Sequence, residues 1–181
     1  GGAIALNEGS FSAVEKDVTE KAQLFTEEKE AIARYAASLV DEDDFVYIDA
    51  GTTTEKMIDY LPQKRVTFVT NGFIHARKLA QRGFRVYIPG GELKLSTEAI
   101  IGTECILTLN NYNFTKCFMG TNGISVHAGF STHDISEGSV KTAVIDNSIQ
   151  TYVLSDHSKF GKVTSVTFAQ LNRGQIITDR L

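Results

Sequence analysis

The sequence has few cysteines, no excess of positive charge and no long apolar run, and each shortage excludes a class of protein. Its two cysteines, Cys105 and Cys117, form no C-x-x-C pair, and nothing resembles a signal peptide, which predicts a reduced cytoplasmic protein without a disulfide. A formal net charge of −4 argues against a surface that itself neutralises the phosphates of DNA. No apolar run approaches the roughly 20 residues that cross a bilayer, so we expect a soluble protein without a membrane segment.

Motifs for metals, nucleotides and covalent catalysis are also missing. The four histidines have no metal-ligand spacing such as H-E-x-x-H, and no G-x-S-x-G nucleophile turn occurs. The sequence contains neither a Walker A loop nor a G-x-G-x-x-G dinucleotide loop. We therefore expect no metal, no cofactor and no nucleotide.

The two ends of the chain suggest a piece of a longer protein. It opens on Gly1-Gly2-Ala3 without an initiator methionine, and it stops at Arg180-Leu181 directly after an apolar run. Residues 1–25 carry scattered apolar positions without sustained periodicity, and we expect them to form an arm. Residues 26–181 are predicted to form one domain, truncated at its carboxyl end.

From Thr26 onward, the apolar pattern predicts alternating helices and strands. Thr26 is expected to cap a helix that runs to about Val40, and one face of this helix is predicted to carry Ile32, Tyr35, Ala36, Leu39 and Val40. Short apolar runs predict six buried strands, at residues 45–49, 66–70, 84–88, 116–119, 151–154 and 176–178. Near-continuous apolar strands separated by helix-length segments predict an α/β, doubly wound, mostly parallel sheet with helices on both faces.

The loops that follow five of these strands are polar, and four of them contain glycine. They occupy residues 50–54, 71–72, 89–91, 120–123 and 155–159. Because ligands bind beyond the carboxyl ends of the strands in such sheets, these loops form the predicted site.

Two of the loops offer backbone groups to a ligand. Residues 51–54 lie where a strand turns into a helix, so amides and hydroxyls there can converge on a phosphate. The alternative is that Thr52 or Thr53 only caps the helix. Gly90 and Gly91 either let the backbone approach a ligand closely or simply form a turn.

Five polar side chains are further candidates, each with a simpler alternative. Asn71 and Asn122 offer amides to sugar hydroxyls, although Asn beside Gly is also ordinary turn chemistry. Lys159 is either a counterion for a phosphate or a solvated surface lysine. Glu137 and Lys141, on a predicted helix, either reach the pocket or face solvent.

Five segments together resemble the C-terminal domain of DeoR-type transcriptional repressors in order and spacing. They are residues 48–54, 69–71, 88–91, 118–124 and 154–161. The resemblance covers nearly the whole chain, and the opening residues resemble the junction that follows the family's winged helix-turn-helix. The chain is similar above all to repressors of the fructose or lactose phosphotransferase operons of Gram-positive bacteria.

The resemblance implies a sugar-phosphate-sensing domain of a repressor that acts as a homo-oligomer. A phosphorylated sugar, with fructose 1-phosphate, fructose 1,6-bisphosphate and tagatose 6-phosphate as candidates, would alter the grip of the N-terminal domain on operator DNA. The implied effector-binding residues are Asp49, Ala50, Gly51, Thr52, Thr53, Thr54, Thr70, Asn71, Gly90, Gly91, Gly120, Asn122, Glu137, Lys141 and Lys159.

The resemblance also implies a fold shared with ribose-5-phosphate isomerase and the coenzyme A transferases, so a sugar-phosphate isomerase is the enzymatic alternative. The isomerase carries acidic catalytic residues in the segment that corresponds to residues 119–122 here. This segment contains Met119 and Asn122 instead, and neither a thioether nor an amide serves as a general base near neutral pH. We therefore expect no catalytic residue, unless Asp49, Asp134 or Glu137 supplies a displaced carboxylate. A purely structural oligomerisation module is the third alternative.

Overall fold

The computed structural model describes residues 10–180, and the predicted junction at residues 1–3 lies outside this range. The described chain forms six α-helices and thirteen β-strands, and none of these helices is long and apolar enough to cross a membrane. The helices are α1 (Val18–Gln23), α2 (Thr26–Ser38), α3 (Thr52–Asp59), α4 (Phe73–Gln81), α5 (Thr103–Leu109) and α6 (Ile135–Asp146). The strands are β1 (Ser10–Phe11), β2 (Phe45–Ile48), β3 (Thr67–Thr70), β4 (Arg85–Tyr87), β5 (Glu92–Lys94), β6 (Ala99–Ile101), β7 (Phe114–Gly120), β8 (Gly123–Ser125), β9 (Gly129–Thr132), β10 (Ser148–Leu154), β11 (Lys162–Val163), β12 (Val166–Ala169) and β13 (Gln175–Ile177).

Six of the strands form one parallel sheet, in the order β13, β10, β7, β2, β3, β4. Each of the six predicted apolar runs supplies one of these strands, so the predicted parallel α/β sheet is confirmed. The chain fills the sheet from β2 outward through β3 and β4, and then returns to fill the other side from β7. Between β2 and β7 the connections diverge, which leaves a crevice at their carboxyl ends.

Alternating side chains of the sheet pack into two apolar cores. In β2, Val46 and Ile48 join the core that α2 and α3 cover, whereas Tyr47 joins the core that α5 and α6 cover. In β7, Phe118 and Cys117 divide between the two cores in the same way. Each large apolar side chain buried here contributes about 1.5–3 kcal/mol, so both faces of the sheet fix the positions of its strand ends.

Three smaller sheets lie beside the parallel sheet, and the sequence pattern did not predict them. Strands β8, β9 and β12 pair antiparallel, β5 and β6 form a second antiparallel pair, and β1 pairs parallel with β11. Most of these strands mix polar residues or glycine with apolar ones, as in Glu92–Lys94 and Gly129–Thr132, so no continuous apolar run marks them in the sequence.

Helix α2 begins differently from the prediction. Thr26 is its first residue, and Phe25 holds the cap position in the left-handed conformation with a φ of 51°. No described side chain caps this helix. The ring of Phe25 packs edge-on against His157, with ring centroids 5.2 Å apart. The prediction that Thr26 caps the helix is therefore wrong, because a long-range ring contact holds the residue before it.

The described part of the predicted arm, residues 10–25, lies against the domain. Asp17 caps α1 by accepting a hydrogen bond from the amide of Glu20 at 2.8 Å. The amide of Val18 donates to the carbonyl of Ser96 at 3.1 Å, and β1 pairs with β11. Helix α1 buries none of its residues, which explains why its sequence shows no apolar periodicity.

Candidate functional site

A cavity of about 410 Å³ opens at the carboxyl edge of the parallel sheet. It is lined by the loops that follow β2, β7 and β10, by the start of α6 and by residues of the segment 12–25. The cavity adjoins the crevice between β2 and β7, and its volume is that of a small-molecule site. It is therefore the candidate ligand site.

The turn from β2 into α3 presents backbone amides to this cavity. Gly51 holds the cap position of α3, and no described side chain caps the helix, so its first amides remain available to a ligand. The side chains of Thr52 and Thr53 line the cavity, whereas the hydroxyl of Thr54 donates to the carbonyl of Asp49 at 2.6 Å. The alternative in which Thr52 or Thr53 caps the helix is therefore wrong. The amides and the helix dipole together favour an anion at this end of α3.

Two buried side chains hold this turn from behind. Asn71 accepts a hydrogen bond from the amide of Ala50 at 3.1 Å through Oδ1, and donates to the carbonyl of Ile100 at 3.1 Å through Nδ2. His75 lies with Nε2 at 2.8 Å from the carbonyl oxygen of Gly51. Burial lowers the pKa of His75 to about 4, so the ring is neutral near pH 7. The same Nε2 also lies 3.3 Å from the amide nitrogen of Gly51. Both residues position the turn without lining the cavity.

A buried ion pair lies where β2 and β7 diverge. The ammonium of Lys141 contacts Oδ2 of Asp49 and donates to the carbonyl of Gly120 at 3.1 Å. Asp49 also accepts a hydrogen bond from the amide of Gly120 at 2.9 Å. Burial raises the pKa of Asp49, while the charge of Lys141 and these hydrogen bonds oppose the rise. Lys141 lines the cavity and Asp49 lies behind it.

Further lysines bring positive charge to the same cavity. Lys29 of α2 is 4% exposed, and its ammonium donates to the carbonyl of Lys21 in α1. Burial lowers the pKa of Lys29 to about 8, with Asp156 opposing this change and the charge of Lys159 adding to it. Burial also lowers the pKa of Lys159. Two desolvated ammonium groups thus line one cavity, and no described carboxylate lies in salt-bridge contact with either.

Lys29 and Lys21 were absent from the sequence prediction. Lys29 precedes Ile32, Ala33 and Ala36 by three, four and seven positions, so it lies on the buried face of α2. A lysine within an apolar helical stripe is the signal that identifies it in the sequence. Lys21 carries no such signal, because α1 has no buried face.

Glu137 contributes a hydrogen-bonded carboxylate to the lining of the cavity. Its Oε1 accepts a hydrogen bond from the hydroxyl of Thr97 at 2.7 Å, and its Oε2 lies 3.0 Å from the ammonium of Lys94. Asn122, close by in the lining, accepts a hydrogen bond from the hydroxyl of Thr132 at 2.8 Å through Oδ1. This mixture of carboxylate, amide and hydroxyl groups suits the hydroxyls of a sugar.

The structure divides the predicted effector-binding residues into two groups. Ten line the cavity, namely Ala50, Gly51, Thr52, Thr53, Thr54, Gly120, Asn122, Glu137, Lys141 and Lys159. Five lie outside its lining, namely Asp49, Thr70, Asn71, Gly90 and Gly91. Contact of any of them with a ligand stays a prediction.

Gly91 has a conformational explanation. It has a φ of 138°, and a Cβ at this position would lie 2.4 Å from the carbonyl oxygen of Ile101. Only glycine fits such a close approach of two backbones. The turn alternative therefore accounts for Gly91 but not for Gly90, and contact of either residue with a sugar stays a prediction.

One group of potential metal ligands exists among the described residues, although the sequence spacing indicated none. Ligand atoms of Glu28, His157 and Asp179 lie within 4.8 Å of one another. Nδ1 of His157 lies 2.8 Å from Oδ2 of Asp179, and Nε2 lies 2.8 Å from a guanidinium nitrogen of Arg180. Both ring nitrogens thus already have protein partners, which makes this group a hydrogen-bonded cluster.

Comparison with known sequences identifies relatives among bacterial regulators. The family model described as the DeoR C terminal sensor domain matches residues 24–180. The chain is 41% identical to a protein of Bacillus subtilis named as the uncharacterized HTH-type transcriptional regulator FruR, over 91% of this chain and 66% of that protein. It is 34% identical to the lactose phosphotransferase system repressor of Staphylococcus aureus, over 80% of this chain and 59% of that protein. The chain therefore spans less than two thirds of the length of these relatives.

Solved structures share the fold at low sequence identity. The tetrameric eIF2B-beta2-delta2 complex from C. thermophilum is similar with a TM-score of 0.64 and 16% identity, over 90% of this chain and 57% of that chain. Ribose 5-phosphate isomerase A of Methanocaldococcus jannaschii is similar with a TM-score of 0.54 and 16% identity, over 73% and 53%. These likenesses confirm the predicted isomerase-like fold. The family model and the sequence relatives go further, and they show that this chain belongs to the family of DeoR C-terminal sensor domains.

Proposed function

We propose that this domain binds a phosphorylated sugar in the cavity, and that binding alters the grip of a full-length repressor on its operator DNA. The observation that carries the proposal is the charge of the cavity. Six lysines line it against three carboxylates, although the chain as a whole has a net charge of −4. An anionic ligand supplies the missing negative charge.

The phosphate is placed at the amino end of α3, between the free amides that follow Gly51 and the ammonium groups of Lys29 and Lys159. Charge-assisted hydrogen bonds from amides and lysines give this end of the ligand its affinity. The sugar then lies toward Asn122 and Glu137, whose polar groups select among hydroxyl arrangements. Fructose 1-phosphate, fructose 1,6-bisphosphate and tagatose 6-phosphate are the candidate effectors.

Regulation requires a different affinity of the ligand for two arrangements of the repressor, with a coupling of about 1–3 kcal/mol. Relatives named as transcriptional regulators support a role in transcription for the whole protein. A homo-oligomer is proposed with it, because repressors that read symmetric operators are usually symmetric themselves.

A sugar-phosphate isomerase is the second candidate, and the shared fold together with Glu137 in the cavity favours it. The contacts of the carboxylates favour a sensor instead. Asp49 is engaged by Lys141 and by the amide of Gly120, outside the lining of the cavity. Both oxygens of Glu137 already accept hydrogen bonds. Neither carboxylate is placed as an open general base.

A thermal-shift series tests the proposal on this chain. The three candidate effectors, ribose 5-phosphate and unphosphorylated fructose are compared, with Lys159→Gln as the site variant and Lys64→Gln as the matched control. A ligand at about 100 times its Kd adds about 2.7 kcal/mol of stability. We expect phosphorylated sugars to stabilise the parent and the control but not the site variant. An equal shift with fructose would contradict the phosphate site, and turnover of ribose 5-phosphate above background would establish the isomerase.

A further inference from the structure

The segment 12–25, which we call the cover, forms part of the cavity wall. Glu15, Lys16 and Lys21 of the cover all line the cavity, together with Lys29 and Lys159 of the domain body. A ligand in the cavity is therefore close to charged groups on both the cover and the body.

Apart from the ring contact of Phe25 with His157 and the hydrogen bond from Lys29 to the carbonyl of Lys21, mainly polar backbone contacts hold the cover in place. The amide of Ser12 donates to the carbonyl of Val163 at 3.2 Å, and that of Val18 donates to the carbonyl of Ser96 at 3.1 Å. Helix α1 buries none of its residues, and Val14 is 77% exposed. Segments with little buried apolar surface open at low free-energy cost, so the position of the cover is sensitive to small changes in charge.

One ion-pair network ties the cover to the cavity. Glu15 lies 2.9 Å from the ammonium of Lys94 and 3.5 Å from that of Lys21. Lys94 in turn lies 3.0 Å from Glu137, which lines the cavity. Glu15 therefore fixes where the cover sits along the cavity.

Lys16 and Lys21 of the cover face positive as well as negative charge on the body, because Glu137 attracts Lys21 whereas the lysines of the body repel it. Lys16 and Lys21 both act to lower the pKa of Lys159, and Lys21 acts in the same direction on Lys29, after the larger effect of burial. Like charges around one cavity favour separation of cover and body, and an anion placed among them reverses the sign of that interaction.

We propose that the cover closes on a bound anion through Lys16 and Lys21 and loosens when the cavity is empty, with the Glu15 to Lys94 pair as its tether. This inference rests on the proposed function, because it needs an anionic ligand in the cavity. In a full-length repressor, ordering of the cover is then the step that passes occupancy of the cavity toward the DNA-binding domain. By reciprocity, the cover also tightens ligand binding.

Hydrogen exchange on this chain tests the proposal, with fructose 1-phosphate and inorganic phosphate as probes and calorimetry to measure their binding in parallel. When fructose 1-phosphate is bound, we expect the amides of α1 to exchange about tenfold more slowly, while those of α4 are unchanged. Binding that leaves α1 unchanged overturns the cover and leaves the proposed function intact. No binding by fructose 1-phosphate, fructose 1,6-bisphosphate or tagatose 6-phosphate overturns both.

A double variant, Lys16→Gln with Lys21→Gln, separates attraction by the anion from general stabilisation of the domain. We expect it to retain binding at α3 with affinity reduced about fivefold to tenfold, and to lose the ligand-induced protection of α1. The matched control, Lys64→Gln with Arg65→Gln, removes two cations far from the cavity and should keep that protection. Full protection of α1 in the Lys16 and Lys21 variant would refute the role of these lysines.

Discussion

Two buried lysines, Lys116 and Lys29, lie at opposite edges of the parallel sheet, and their pKa values change in opposite directions. At the amino edge, Lys116 lies 2.7 Å from Asp41 and 2.8 Å from Asp44. Burial acts to lower the pKa of Lys116, but the hydrogen bonds to both carboxylates outweigh it, and the pKa is raised. The two carboxylates therefore neutralise the charge of Lys116.

At the carboxyl edge, Lys29 is as deeply buried as Lys116 but has no carboxylate in salt-bridge contact among the described residues. Its pKa falls to about 8, chiefly because of burial. The comparison teaches that burial alone does not determine in which direction the pKa of a lysine changes. The supply of counter-charge within the protein decides it.

The largest expected effect is a loss of stability when Lys116 is replaced. Lys116→Met leaves the carboxylate of Asp44 without its cation, whereas Asp41 keeps Lys64 at 3.8 Å. We expect the free energy of unfolding to fall by about 2–3 kcal/mol, less than for a fully buried pair because Asp41 is exposed. Urea denaturation measures this loss. The double variant Lys116→Met with Asp44→Asn should recover part of it, and a neutral result for Lys116→Met would remove the contrast between the edges.

The same substitution at the other edge should act in the opposite direction. Lys29→Met removes a desolvated cation, so we expect the unliganded domain to be more stable by up to about 1 kcal/mol. Affinity for fructose 1-phosphate should fall about tenfold or more, because a hydrogen bond to a charged group contributes about 1.5–3 kcal/mol. Denaturation and calorimetry measure the two effects. Lys64→Met is the control, and lower stability of the Lys29 variant without ligand would contradict the prediction.

The lowered pKa of Lys29 predicts how the stability and the ligand affinity of the domain depend on pH. It lies at about 8 in the folded protein, below the ordinary value of 10.5, so the unfolded chain binds more protons between these pH values. The contribution of Lys29 to stability therefore rises with pH above about 8, while its ability to hold an anion declines. We expect affinity for fructose 1-phosphate to fall by up to about tenfold from pH 7 to pH 9, because Lys29 loses its proton over this range. The phosphate, with a second pKa of about 6, is already mostly ionised at pH 7. Lys29→Met should flatten this profile, and an equally steep profile in the variant would assign the titration elsewhere.

The smallest effect is expected outside the cavity lining. At Gly90 an added Cβ would make only an ordinary 3.5 Å contact with Glu104, so Gly90→Ala should leave ligand affinity unchanged and stability within about 0.5 kcal/mol. Gly91→Ala, one residue further, should destabilise the domain because its backbone conformation and the 2.4 Å approach to Ile101 admit only glycine. Calorimetry and denaturation of both variants test this. A loss of affinity in Gly90→Ala would instead support contact between this loop and the ligand.

The inner strands of the parallel sheet could be predicted from the sequence because both of their faces are buried, which makes them visible as apolar runs. The edge strands β4 and β13 are partly exposed, and their apolar residues still marked them. The Gly51 turn could be located because it follows such a run. The start of α2 could not, since the contact between Phe25 and His157 joins residues far apart in the chain. The contacts of the cover with the domain could not be predicted for the same reason, because its partners Ser96 and Val163 are distant in sequence.

The excess of positive charge around Lys29 and Lys159 has a consequence for the lifetime of the protein. Any anion that binds only the folded state raises the free energy of unfolding and lowers the fraction of chains open to proteases. We expect degradation of this domain to slow as its effector accumulates. The amount of regulator in a cell would then follow the supply of sugar phosphate, on a slower timescale than the occupancy of the cavity itself.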